Sequence, residues 1–278
     1  VTEASFIRYL AAKRTVDDRA LNRRVWDAMV SAAGGGSPRV LEIGGGIGTM
    51  IQRVIDDGRL APRSWTLMDA DAALIAEAKR RLAGATPFPV EYAAAELDAF
   101  IDTGPAPFDL VIANAVLDLF DPARILPRMA RLCRPGGLFL FSITFDGLTA
   151  LEPEIDHALD RKIISLYHAS MDERVTDGRP AGDSRCGRHL LTLLPRCGCR
   201  ILEAGSSDWI VHPRDGEYPA DEEFFLSCIL AFFEESLAAR PELAPGELAG
   251  WLARRREQLR THQLVFMAHQ LDVLAAGG

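Results

Sequence analysis

Val40-Leu41-Glu42-Ile43-Gly44-Gly45-Gly46-Ile47-Gly48-Thr49 holds the residues best suited to chemistry in this chain. An apolar, strand-like run at 39–43 meets a glycine cluster and opens into a helical pattern at 47–57. Gly44, Gly46 and Gly48 remove side chains where the backbone must turn sharply and press against a ligand. A strand–loop–helix of this kind presents free backbone N–H groups, which serve nucleotide-like ligands in doubly wound sheets. Glu42, two residues before the first glycine, narrows the ligand. A loop that cradles a pyrophosphate has no use for a carboxylate there. A loop that holds a ligand with a cationic amino-acid end does.

The elements that must carry this loop follow from the apolar pattern. Residues 5–10 and 17–33 read as amphipathic helices, and Gly34-Gly35-Gly36-Ser37-Pro38 turns into the first strand. Strands are expected at 64–68, ending at Asp69, and at 89–93 and 108–113, with helices at 72–82, 96–101 and 121–132 between them. The 108–113 run is continuously apolar, the mark of a strand buried on both faces. A turn at 134–137 leads to a fifth strand at 138–145. Beyond it, helix is expected at 152–166, a polar loop at 172–187, helix from 188 to 195, and a sixth strand at 200–204 that extends through 209–211. Helices at 221–239 and 244–258 precede a closing strand at 264–274. Strands alternating with helices of these lengths predict an α/β fold, a doubly wound sheet with right-handed crossovers.

The Glu-x-Gly-x-Gly-x-Gly order at 42–48 resembles motif I of the class I S-adenosylmethionine-dependent methyltransferases. Four further features keep that family's order: Asp69 after the second strand, Pro105-x-Pro107 before the strand at 108–113, Asn114 with the apolar helix after it, and Arg134-Pro135-Gly136-Gly137 before the fifth strand. The resemblance covers roughly residues 38–199 and implies a seven-stranded, mostly parallel Rossmann-like sheet with an antiparallel last strand at 264–274 between the fifth and sixth. It implies S-adenosylmethionine as cofactor, S-adenosylhomocysteine as product, and one domain over 1–278. Within it, 1–37 is an N-terminal helical lid, 38–146 the cofactor core, 147–188 an acceptor-side insertion, and 189–278 the rest of the sheet with a helical insertion at 219–258.

By this resemblance Glu42 faces the methionine ammonium, usually through water, and Gly44, Gly46 and Gly48 let the backbone approach the methionine and sulfonium end. Asp69 accepts hydrogen bonds from both ribose hydroxyls, and Ala70 packs on the adenine. Glu96, or Asp98 two residues on, meets the adenine amino group, and Asn114 and Ala115 supply backbone contacts near the methyl group. The insertion after the fifth strand commonly covers the acceptor in this family. His168 is therefore the candidate general base, since its ring titrates nearest neutral pH. Tyr167, Tyr9 and Arg185 are candidate acceptor contacts. Arg174, Arg179 and Arg188 flank the same loop, and Lys13 and Arg19 share the first helices with Tyr9.

Composition narrows the partners. The 278 residues carry 31 basic and 39 acidic side chains, a net charge of −8, which argues against a nucleic-acid partner. No apolar run approaches the roughly 18 residues needed to cross a membrane, and residues 1–14 do not read as a secretory signal. Five scattered cysteines form no disulfide framework, so a cytoplasmic location is expected, and the Ala- and Arg-rich composition suits a GC-rich bacterial gene. Asn114 stands where metal-dependent catechol enzymes need an acid, and the Asn/Asp-Pro-Pro-aromatic motif of amino-directed nucleic-acid enzymes is absent. The expected reaction is methyl transfer to an O or N atom of a small metabolite, with no metal. A nicotinamide-dependent oxidoreductase on a related sheet, or a cofactor-binding relative without turnover, stays open, as does the oligomeric state.

Overall fold

In the computed structural model, which describes residues 2–176 and 178–278, the strand β1 (Arg39–Ile43) lies in the interior of the sheet. It pairs in parallel with β2 (Ser64–Asp69) on one side and β4 (Phe108–Asn114) on the other. β3 (Val90–Ala94) flanks β2, and β5 (Cys133–Glu152) flanks β4, both in parallel. Two-residue strands β6 (Val175–Thr176) and β7 (Arg179–Pro180) form a separate hairpin. β8 (Arg200–Ser206), β9 (Trp209–Val211) and β10 (Val265–Ala276) complete the main sheet, in the order β3-β2-β1-β4-β5-β10-β8 with β9 beside β10. β10 runs antiparallel to β5 and β8, as the resemblance implies. The sheet has eight strands rather than the seven expected, because 209–211 pairs with β10 as a strand of its own instead of prolonging 200–206.

Successive residues of the central strands point to opposite faces. Leu41, Ile43, Val111 and Ala113 pack on one face with Ile101, Ile125 and Leu190. These come from α5 (Leu97–Asp102), α6 (Pro122–Met129) and α8 (Cys186–Arg196). Val40, Leu110 and Ile112 pack on the other face with Met29, Ile51 and Ile75. Those come from α2 (Arg23–Ala33), α3 (Thr49–Asp57) and α4 (Ala72–Leu82).

A third apolar cluster lies where β5 and β10 overrun the other strands. β5 is 20 residues long, not the eight expected at 138–145, since 148–152 stay paired with 265–269 of β10. The expected helix at 152–166 accordingly starts later, as α7 (His157–Asp172) capped by Asp156. α1 (Glu3–Ala20), α7, α9 (Glu222–Leu237) and α10 (Glu247–Arg260) pack over this overhang around Phe225, Phe233 and Trp251. α1 is longer than the 5–10 segment expected and takes in part of 17–33. The chain bends only at Leu21-Asn22, where the Asn22 side chain caps α2 through Arg24 N and Val25 N.

The bend is fastened by a buried acid. Asp272 of β10 accepts from Asn22 N at 2.8 Å and from Ile143 N at 2.7 Å. Ile143 has a left-handed backbone, φ +54°, at the point where β5 enters the overhang. One carboxylate thus ties the α1–α2 elbow and the base of the overhang to the same strand.

Candidate active site

Between the glycine loop and this overhang lies a cavity of about 440 Å³, a size typical of small-molecule sites. Its floor is Glu42, Gly44–Gly46, Asn114 and Ala115. Its far wall is aromatic and apolar, with Phe6 and Tyr9 from α1, Phe145 from β5, Tyr167 from α7 and Phe232 from α9. Lys13, Asp17, Asp118 and Arg174 add charge.

Gly44 and Gly46 have φ of +64° and +53°, and a side chain on Gly44 would strike Val116. Gly46 N donates to Asp69 Oδ2 at 2.9 Å, and Asp71 N donates to Asp69 Oδ1 at 3.0 Å. The acid ending β2 therefore grips the glycine loop while keeping lone pairs for a ligand. Burial raises the Asp69 pKa above the usual carboxylate range.

Glu42 is almost fully buried beneath the loop, and Trp65 Nε1 donates to its Oε2 at 2.9 Å. Burial pushes its pKa up to about 8, against the opposing pull of the Trp65 bond and the Arg53 guanidinium. Asn114 Oδ1 accepts from Ser142 Oγ at 2.8 Å, and Ala115 holds φ +53° while its N–H donates to Ser142 O. A non-glycine residue in the left-handed region stores of order 1–3 kcal/mol of strain. Here the turn brings the backbone after β4 to the cavity.

The cavity thus unites Glu42, Gly44, Gly46, Asn114, Ala115, Tyr9 and Tyr167. Gly48 belongs elsewhere: a Cβ there would sit 2.7 Å from Leu82 Cδ1, so this glycine accommodates α4 rather than a ligand. Ala70 and Glu96 are exposed near the end of β2 and at the cap of α5, outside the cavity wall. Asp98, the alternative to Glu96, is taken up by Arg124 at 2.8 Å.

His168 stands behind the wall. Its Nε2 is 3.0 Å from Thr149 Oγ1, its ring meets Phe145 edge-on, and Thr149 and Phe145 line the cavity in front of it. Burial lowers its pKa, so the ring is neutral at pH 7. Arg185 is exposed off the wall, Arg188 pairs with Asp146 at 2.9 Å, and Arg19 pairs with buried Glu222. Of the loop arginines singled out in the sequence, Arg174 is the one on the cavity wall. Asp177, within the polar loop, lies outside the described residues.

Sequence patterns did not point to Asp17, Asp118 or Thr149. Asp17 accepts from Lys13 Nζ at 2.5 Å and from Trp209 Nε1 at 2.9 Å, forming a buried pair on the wall. Its signal was the i,i+4 spacing of Lys13 and Asp17, which is indistinguishable from a surface pair until Trp209 is seen beside it.

This donor and acceptor set fits S-adenosylmethionine. Two glycines at positive φ open onto the cavity, a carboxylate ends β2 beside them, and a second carboxylate is buried beneath the loop. Residues 41–139 match the family described as a methyltransferase domain. A methyltransferase-assigned protein of Bacillus halodurans is similar in fold, with TM-score 0.55, 13% identity, and coverage of 92% of this chain and 99% of that one. So is YcgJ of Bacillus subtilis, with TM-score 0.51, 10% identity, and coverage of 92% and 98%. A methyltransferase of Thiobacillus denitrificans, solved with S-adenosyl-L-homocysteine, aligns over 99% of both chains at 16% identity with TM-score 0.47. No curated protein matches the chain. Residues 41–139 thus match a methyltransferase domain, in a fold shared with the Bacillus halodurans and Bacillus subtilis structures.

Proposed function

We propose that the protein transfers a methyl group to an O or N atom of a small metabolite held in the aromatic part of the cavity. One observation carries this reading: the glycine loop and the aromatic residues line a single continuous cavity. S-adenosylmethionine, when bound, supplies an electrophilic methyl group on a sulfonium. The chain's own work is to hold the two partners in line and keep water away, which can account for a large part of such a barrier.

In this reading Asp69 receives the ribose hydroxyls while fixing Gly46. Glu42 answers the methionine ammonium, Gly44 and Gly46 admit the chain of the ligand, and Asn114 and Ala115 border the methyl group. Ala70 and Glu96 remain the adenine-side candidates, outside the cavity lining. Gly48 contributes by letting α3 and α4 pack, which supports the loop from behind. Tyr9 and Tyr167 border the acceptor, and Arg174 takes the place first given to Arg185. His168 is a positioning residue in this reading, acting on the acceptor through the Thr149 hydroxyl. The lids are α1 and α7, so the 278 residues work as one methyltransferase unit. Five free cysteines support a reducing, cytoplasmic setting. Among the described residues, no helix is long and apolar enough to cross a membrane.

The test is production of S-adenosylhomocysteine from S-adenosylmethionine with a pool of small hydroxyl and amine acceptors. Acceptor-dependent product supports the proposal. Tight S-adenosylhomocysteine binding with no turnover on any pool would leave a cofactor-binding protein instead.

A further inference from the structure

Four carboxylates line the cavity beyond the glycine loop's own contacts, and they are not equivalent. Asp17 is held by Lys13 and Trp209, and Glu42 by Trp65. Glu235 also has a partner. Asp118, in the short 3-10 turn Leu117–Leu119 after β4, accepts a hydrogen bond from no other side chain among the described residues. It is half-buried on the cavity wall, four residues beyond Asn114.

The groups that share Asp118's electrostatic surroundings come from every element around it. Tyr9 and Lys13 belong to α1, Tyr167 to α7, Arg174 follows α7, and Asp183 and Cys186 lie at the start of α8. The Lys13 ammonium pairs at contact distance with Asp17 and reaches Asp118 only as a more distant charge. Burial raises the Asp118 pKa, aided by Asp183, while its own backbone N–H, Arg174 and Lys13 draw it toward the ionised form. A half-buried carboxylate whose one donor is its own backbone N–H keeps acceptor sites open toward the cavity, and a ligand that brings an N–H donor can fill them. Aromatic faces nearby favour a cationic donor over a neutral one.

We propose that Asp118 and the aromatic residues beside it hold the methyl acceptor as an amine, and that Asp118 takes the proton this amine loses. The proposal rests on the methyltransferase reading above and narrows its acceptor from O or N to N. The balance is one N–C bond formed from the nitrogen lone pair and one S–C bond of the donor broken, its pair remaining on sulfur. The nitrogen lone pair is freed when the bound ammonium first gives one proton to a carboxylate oxygen of Asp118, and from there the proton reaches water. His168 is not needed as the base, which agrees with its position behind Thr149 and Phe145.

Sinefungin, in which a protonated amine replaces the methyl sulfonium, tests this without the acceptor being known. Its affinity is compared with that of S-adenosylhomocysteine by calorimetry for wild type and Asp118→Asn, from pH 5.5 to 8. Wild type should prefer sinefungin by about 10-fold or more, as expected for a charge-assisted bond. The preference should grow as pH rises and Asp118 ionises, over a range above that of an ordinary carboxylate. Asp118→Asn should keep S-adenosylhomocysteine affinity within about twofold and lose the preference. If the amide variant fails to fold, Asp118→Ser is read in the same way. A preference that persists without the carboxylate, or none in wild type, overturns the proposal while leaving the cofactor site intact. Failure of wild type to bind either compound would remove the cofactor reading, and this proposal with it.

Discussion

Cofactor binding should expel a proton from Glu42. Before the cofactor binds, burial holds this carboxyl at a pKa of about 8. At pH 7 it is therefore roughly nine-tenths protonated, and at pH 8.5 roughly one-quarter. A methionine ammonium arriving near it favours the ionised form. Binding of S-adenosylhomocysteine at pH 7 should then release close to one proton, and distinctly less at pH 8.5. Titration calorimetry in two buffers of different ionisation enthalpy reads this number directly.

Glu42→Gln is the control, because its amide oxygen can still accept from Trp65 Nε1 and it has no proton to give. A linked effect should be seen without ligand. A folded-state pKa raised from 4.5 to about 8 makes the folded protein hold a proton that the unfolded chain has lost. That stabilising difference is fully present below the unfolded value and is lost as pH rises toward 8, by roughly 1.4 kcal/mol per pH unit. Between pH 5.5 and 7.5, wild type should lose roughly 2–3 kcal/mol of stability relative to Glu42→Gln. Equal proton release from wild type and Glu42→Gln, or none from wild type, would refute the placement of the ammonium near this acid.

Other outcomes follow from the same geometry. Asp69→Ala should weaken S-adenosylhomocysteine binding about 10- to 150-fold by calorimetry, the worth of 1.5–3 kcal/mol for bonds to a charged group. Unchanged affinity in a folded variant would refute the ribose role. Gly46→Val should abolish binding. Gly48→Ala should instead lower stability by about 1–3 kcal/mol in denaturant melts, through its φ of +82° and the Leu82 contact, and leave the affinity of the folded protein nearly unchanged. His168→Ala and Thr149→Val should each raise the acceptor KM by about 10-fold, the scale of one hydrogen bond, without moving the pH profile. A fall in kcat of about 100-fold, with loss of an ionisation near neutral pH, would make His168 the base after all.

The central sheet was legible because its residues answer to local rules. The 108–113 run is apolar throughout since both its faces are covered, and the glycine loop announces itself by three residues that only a sharp turn requires. The overhang was not legible. Residues 146–152 read as the approach to a helix, and what keeps them extended is pairing with Val265–Ala276, more than a hundred residues away in the chain. Trp209–Val211 likewise became a separate strand only through β10. Within the site, spacing cannot tell a glycine that faces a ligand from one that faces a helix, and only the position of Leu82 separates Gly48 from Gly46. His168 stood out for its chemistry, yet Thr149 and Phe145 stand in front of it. Asp118 passed unnoticed because Val-Leu-Asp-Leu-Phe after a strand reads as an ordinary start of an apolar helix.

The most direct measurement is a crystal structure of the protein with S-adenosylhomocysteine. The ribose hydroxyls should lie on Asp69, the amino-acid end over Gly44–Gly46 with its ammonium toward Glu42, and the sulfur should face the chamber of Tyr9, Tyr167 and Asp118. Density for the nucleoside away from Asp69, or a sulfur directed away from that chamber, would contradict the account.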